Sequence, residues 1–388
     1  MPKPAADTTL IETPEIMKAI AVTPMQANSV HLVEMNKPAV SDIAGCRGVL
    51  VEVLSVGACG TDREINSGEY GVAPMGFDYL VLGHENFGRV VEVGENVREF
   101  KIGDFVVATV RRPRGSSIYD TIGAQDFTTD DKYYERGISR LHGYMAEFYS
   151  ESADFLVKIP SPIAEIAVLL EPLSIIEKGL KQASDIQERL KIWHPKTAAV
   201  LGTGNVGLLT TMALQMRGYE VHGFGLDKRE GYLNADLVEA IGATYDSTRD
   251  TTIVDSVKKY DEYDLIFECT GYSPIIFDAM QALNENGILI LASVTGGDRK
   301  TDQVPSDKIN QRFVLGNRAM VGTVNANLEH FEMGVKDLVL CEALHPGWLG
   351  KMLTHKVEGL ENYAKVFEIL NNSAKFKAIK TYFEVAKI

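Results

Sequence analysis

The chain is short of cysteine, of long apolar runs and of basic charge, and each shortage removes a class of protein. Its four cysteines, Cys46, Cys59, Cys269 and Cys341, are widely separated and form no Cys-x-x-Cys pair. A secreted disulfide framework is therefore absent. No apolar run approaches the length of a membrane span. Residues 1–15 carry three prolines among mixed polar residues and no apolar core of a signal peptide. Residues 1–16 are accordingly expected to be a disordered lead-in, and the location cytoplasmic, with no membrane partner. Acidic residues outnumber basic ones by 53 to 39, for a net charge of −14. That balance argues against nucleic acid as a partner and identifies no substrate.

What is present is enough for two cores. The length of 388 residues is more than twice that of a usual domain. An apolar fraction of 45% with 24% charged residues is ordinary for a globular protein. As far as Pro160, short β runs, glycines and turn residues dominate, which predicts a mostly β unit. A helix is expected over residues 163–180. The run Ala198-Ala199-Val200-Leu201 then feeds Gly202-Thr203-Gly204-Asn205-Val206-Gly207, and an apolar-periodic segment follows. Strand, tight turn and helix in this order make a dinucleotide fingerprint, with the pyrophosphate at the helix N-terminus. The next strand is expected over 219–226. Asp227 ends it, twenty residues after Gly207, where an acidic residue can hold the adenosine ribose.

Further on, residues 264–269 and 287–292 read as buried parallel strands. Residues 274–283 and 328–340 read as amphipathic helices, and the chain closes with a helix over 361–370 and a strand over 378–385. The expected division is a catalytic domain at 17–184, a dinucleotide domain at 185–324 and a return to the catalytic domain at 325–388.

The first part carries a second constellation. Gly57-Ala58-Cys59-Gly60-Thr61-Asp62 follows a strand, Leu82-Gly83-His84-Glu85 comes next, and Leu169-Leu170-Glu171-Pro172 lies further on. A thiolate, an imidazole and a carboxylate from three loops are the mixed donor set of a catalytic Zn²⁺ site. Taken singly, Cys59 also reads as a small buried hydrophobe, His84 as a satisfied loop histidine and Glu171 as a surface charge.

With Val93-Gly94, Ile102-Gly103-Asp104-Phe105-Val106-Val107 and the Rossmann glycines, these motifs resemble the zinc-dependent medium-chain dehydrogenases. Val110-Arg111-Arg112-Pro113, Tyr134-Glu135-Arg136-Gly137-Ile138, Glu171-Pro172-Leu173-Ser174-Ile175-Ile176-Glu177-Lys178 and Val321-Gly322-Thr323-Val324-Asn325 resemble the glucose dehydrogenase branch more narrowly. The resemblance covers essentially residues 17–388. It implies an α/β fold: a Rossmann doubly wound parallel sheet beside a mostly β, GroES-like catalytic domain. It implies one catalytic zinc held by Cys59, His84 and Glu171, with Glu85 as an additional or exchanging ligand, and Thr61 as the hydroxyl of a proton relay. Glu135 and Glu171 would contact sugar hydroxyls, and Asn325 would sit by the nicotinamide and substrate. Gly202, Gly204, Asn205, Val206, Gly207, Asp227, Lys228 and Arg229 would meet NAD or NADP.

The implied activity is oxidation of an aldose at C1 to the lactone. Polyol, secondary-alcohol and threonine dehydrogenases of the same superfamily are the nearest alternatives. A non-enzymatic binding protein on the same fold is a further one. Relatives assemble as homodimers or homotetramers, and the strand over 287–292 is expected at the pairing edge.

Two departures stand out. Where members with a structural zinc carry four cysteines, this chain has Arg114, Ser117, Asp120 and Thr128, which implies no structural zinc and leaves the rigidity of that lobe open. Some relatives have an aspartate at the position of Ile175. Four residues keep simpler readings: Glu135 as part of a solvated charged loop, Asn325 as a cap for the following helix, and Lys228 with Arg229 as solvated loop charges. Asp227 beside that basic pair predicts that both cofactors work, with NAD preferred or nearly equal.

Overall fold

The structure, a computed structural model, describes residues 15–128, 133–294 and 304–388. The lead-in expected over 1–16 lies outside the described residues but for its last two positions. Asp130, Asp131 and Lys132, in the charged stretch before Glu135, also lie outside them.

Among the described residues, a seven-stranded sheet is built on the strand Gly48–Ala58. Val49, Val51, Val53 and Val56 belong to one apolar cluster, while Leu50 and Leu54 reach two others. Burial on both faces explains a run with so few polar residues. The strand pairs antiparallel with Glu85–Val93 on one side. On the other it pairs with Phe148–Ser152 over its first half and Thr381–Glu384 over its second. The two ends of the sequence thus meet beside Ala58, one residue before Cys59.

The second sheet is parallel throughout. Its order is Thr244–Ser247, Glu220–Gly225, Thr197–Leu201, Tyr263–Glu268, Leu283–Leu291 and Ala319–Gly322. The order reverses direction at Thr197–Leu201, and in such sheets ligands bind at the carboxyl ends of the strands flanking that point. One expectation fails here. The strand over 287–292 is interior, paired on both sides, and Ala319–Gly322 forms the edge. Neighbour order is set by non-local pairing, which an apolar run does not report.

The helix expected over 163–180 divides in two. A 3-10 segment, Ser161–Leu169, precedes the α-helix Leu170–Gln187. Starting the α-helix at Leu170 puts Pro172 in its first turn, where a missing N–H leaves no hydrogen bond unmade. Glu171 is thereby fixed at a helix N-terminus, and the rest of the helix packs against Asn205–Met216 and Leu328–Leu344.

A buried ionic knot ties the smaller strands to the catalytic sheet. Arg112 and Arg136 both hold Glu151, at 2.6 and 2.9 Å. Burial works against the Glu151 charge, but the two guanidinium groups outweigh it and hold its pKa at about 2.

Candidate active site

Cys59 ends the central strand and starts the short helix Gly60–Asn66. Its backbone N–H donates to Asp62 Oδ2 at 2.9 Å, and Gly83 N–H donates to the other Asp62 oxygen at 3.3 Å. One fully buried carboxylate therefore stitches the Cys59 turn to the loop that carries His84. Cys59 Sγ lies 3.3 Å from His84 Nε2. On the far side of the ring, His84 Nδ1 faces Asp62 Oδ1 at 3.8 Å and has no hydrogen-bond partner among the described residues. At that distance the carboxylate acts on the ring through its charge and not through a hydrogen bond. Asp62 escaped the sequence reading, although its place three residues after Cys59 was visible.

Glu171 and Glu85 close on His84 from the other side. One ligand atom from each of His84, Glu85 and Glu171 lies within 4.8 Å of the others, as do atoms of Cys59, Asp62 and His84. The two groups share His84; Cys59 and Glu171 fall in different ones. Glu85 is also ion-paired to Lys380, a lysine only 2% exposed on the last segment of the chain. Burial pushes the Glu171 carboxyl up to about 7, against the opposing pull of His84. Three buried carboxylates and a thiol against one lysine are a donor set that a divalent cation would balance. The soft sulfur, the imidazole nitrogen and the carboxylates fit zinc in particular.

The same cleft, about 700 Å³ in volume, is walled on its other side by Gly204, Asn205 and Val206. Gly202 has φ +98, and a side chain at Gly207 would run into the Gly202 carbonyl, so the turn is closed at both ends. A Cβ on Gly204 would meet only open space. Asn205 Oδ1 is buried without a hydrogen-bond partner among the described residues. This is a cradle for a pyrophosphate at the N-terminus of Asn205–Met216.

Thr61 and Ile175 line the cleft as well. So does Asn325, at φ +56 and 8% exposed. It does not cap the following helix: Asn327 does, its side chain accepting from Leu328 N–H at 2.8 Å. Cys269, whose sequence neighbours carry no ligand signal, also lines the cleft; burial raises its thiol to about 12.

Glu135 is neither solvated nor among the described lining residues. It is 5% exposed and paired to Arg111 at 2.7 Å, behind the wall that Val110 and Ile138 supply. Asp227, Lys228 and Arg229 are exposed at the end of Glu220–Gly225. The lobe without cysteines is held by hydrogen bonds. Asp120 accepts from Arg114 and Gly115 N–H at 2.8 and 2.9 Å, and Ser117 accepts from Tyr119 N–H at 3.1 Å.

Residues 164–381 match the family described as glucose dehydrogenase C-terminus, and residues 45–161 match the alcohol dehydrogenase GroES-like domain. A glucose 1-dehydrogenase of Methanocella arvoryzae is 43% identical over 347 residues, 89% of this chain and 94% of that one. The chain belongs to the glucose dehydrogenase family of zinc-dependent medium-chain dehydrogenases. Another family member, glucose 1-dehydrogenase 2 of Vulcanisaeta moutnovskia, is 36% identical over 372 residues, covering 95% of this chain and 99% of its own. Among solved structures, the Haloferax mediterranei glucose dehydrogenase in complex with NADP, Zn and gluconolactone superposes with a TM-score of 0.83. It is 35% identical, over 96% of this chain and all of that one. The family's two-domain architecture is the one seen here: a mostly β GroES-like unit and a parallel Rossmann sheet.

Proposed function

We propose that the protein oxidises the C1 hydroxyl of an aldose, glucose foremost, to the lactone, with hydride passing to NAD or NADP. The observation that carries this reading is a single cleft lined both by Cys59, His84 and Glu171 and by the Gly204–Val206 turn. Cys59, His84 and Glu171 would hold zinc, with Glu85 able to join them. When bound, the ion supplies Lewis-acid stabilisation of the sugar alkoxide. Asp62 fixes the Cys59 turn against the His84 loop and sets a negative charge behind the ring, whose Nε2 faces Cys59. Thr61 Oγ1 takes up the proton released from the C1 hydroxyl and passes it outward. Glu171 and Asn325 contact the sugar, and Asn325 also borders the nicotinamide. The family resemblance also assigns Glu135, buried against Arg111, to the sugar hydroxyls. The Rossmann turn orients the cofactor, which carries the redox step itself.

The working units are residues 17–184 with 325–388, and residues 185–324. No helix among the described residues is long and apolar enough to cross a membrane, and the acidic charge suits work in the cytoplasm. A panel of aldoses, polyols, secondary alcohols and threonine, offered to purified zinc-loaded protein while reduced cofactor absorbance is followed, tests the reading. Aldoses are expected to turn over fastest; turnover confined to threonine or simple alcohols would overturn it.

The subunits are proposed to form dimers or tetramers. Ala319–Gly322, the edge strand among the described residues, has no strand paired on its outer side there, and its Met320 is 45% exposed. Light scattering is expected to give at least twice the 42.7 kDa chain mass; a monomer at working concentration contradicts it.

A further inference from the structure

The turn after Glu220–Gly225 carries more charge than a ribose needs. Asp227, Lys228, Arg229 and Glu230 follow one another, all exposed. The turn is held from beneath. Tyr245 hydroxyl donates to the Asp227 carbonyl at 2.5 Å, and Asn234 donates to the Thr203 carbonyl at 2.6 Å. A side chain at Gly225 would sit 2.7 Å from the Thr203 hydroxyl, so the strand end stays bare where the adenosine ribose would rest.

On this turn Arg229 is already engaged. Its Nε donates to Glu239 Oε1 at 2.6 Å, and its Nη2 donates to Oε2 of the same carboxylate. Glu239 sits on the helix Leu233–Ala240, and Asp236 of that helix and Glu230 of the turn add to the negative field around the guanidinium. A guanidinium grips a phosphate with the same two-pronged geometry by which it grips a carboxylate. The Nε–Nη2 face of the guanidinium is therefore occupied, and the carboxylate that fills it sets a negative charge beside any phosphate that approaches the remaining donors.

We propose that Glu239 is a cofactor-specificity residue: by holding Arg229 at two points it withholds that guanidinium from the 2′-phosphate of NADP and biases the site toward NAD. The role rests on the dinucleotide reading of the cleft. NAD, which has a hydroxyl in place of the phosphate, needs nothing from Arg229, and Asp227 remains free to meet it. Arg229 is exposed and exposed ion pairs are weak, so releasing it changes NADP affinity several-fold and not by orders of magnitude. Salt weakens whatever attraction the freed guanidinium provides.

The test is cofactor binding without sugar, by nicotinamide fluorescence on zinc-loaded protein, with NADPH and NADH titrated separately. Glu239→Gln is expected to lower the Kd for NADPH by about two- to fivefold while leaving that for NADH unchanged. The gain is expected to vanish in Glu239→Gln/Arg229→Ala. An unchanged NADPH-to-NADH ratio in Glu239→Gln overturns the proposal, as does a gain that persists in the double variant. Wild-type protein that binds neither nucleotide overturns the dinucleotide reading and this role with it, a result visible before any variant is compared.

Discussion

Cys59→Ala and His84→Ala are each expected to lose the metal and to lower kcat/KM by about a thousandfold or more. A catalytic metal supplies several kcal/mol of charge stabilisation, and each 1.4 kcal/mol is about tenfold in rate. The fold is expected to survive in both. Cys59 lies beyond the last paired residue of its strand, and the valines that bury Gly48–Ala58 are untouched. Asp62→Asn is the graded member of the series. It keeps the side-chain shape, but it removes the charge behind His84 and leaves one oxygen to accept where two now receive Cys59 and Gly83 N–H, and about 10–100-fold weaker metal binding is expected. Elemental analysis beside circular dichroism reads both quantities at once. Wild-type protein is expected to hold one zinc per chain. Two tightly bound ions, or a His84→Ala protein that keeps its metal and its turnover, would contradict this account of the site.

Lys178→Met is expected to cost about 3–5 kcal/mol of stability, because it strands a buried carboxylate. Lys178 Nζ lies 2.8 Å from Asp126 Oδ2, donates to the Val324 carbonyl at 2.9 Å and sits 4.0 Å over the Phe127 ring. Lysine and aspartate are both almost fully buried. These contacts dock the cysteine-free lobe onto the segment that leads to Asn325. Gln125 reinforces the docking by donating to Asn327 Oδ1 at 3.0 Å, and Asn327 donates in turn to the Gly123 carbonyl. Removing both charges, in Lys178→Met/Asp126→Leu, is expected to restore most of the loss, since well-packed apolar pairs often replace buried ion pairs at little cost. Denaturant unfolding of the three proteins decides the matter. A single variant within about 1 kcal/mol of wild type would show that the ion pair does not anchor the lobe.

The parts of this protein that can be read from its residues alone are those whose geometry is local. Gly202, Gly204 and Gly207 form one turn and the start of one helix, and only glycine suits such a turn. The alternation of strand and helix after that turn is likewise written in short-range periodicity. The meeting of Cys59, His84 and Glu171 came from their resemblance to a known pattern; composition and spacing left simpler readings of each standing. How these residues are held emerges from long-range packing alone. Asp62 acts by accepting from a loop 21 residues away, and Lys380 reaches Glu85 from 295 residues away. Glu135 is pulled behind the cleft wall by Arg111, 24 residues earlier, and Arg229 is engaged by a carboxylate on the next helix. The order of strands, with Ala319–Gly322 outermost, belongs to the same class. Each of these is a pairing between charges or backbones far apart in the chain, and such pairings leave no period or motif in the residues that make them.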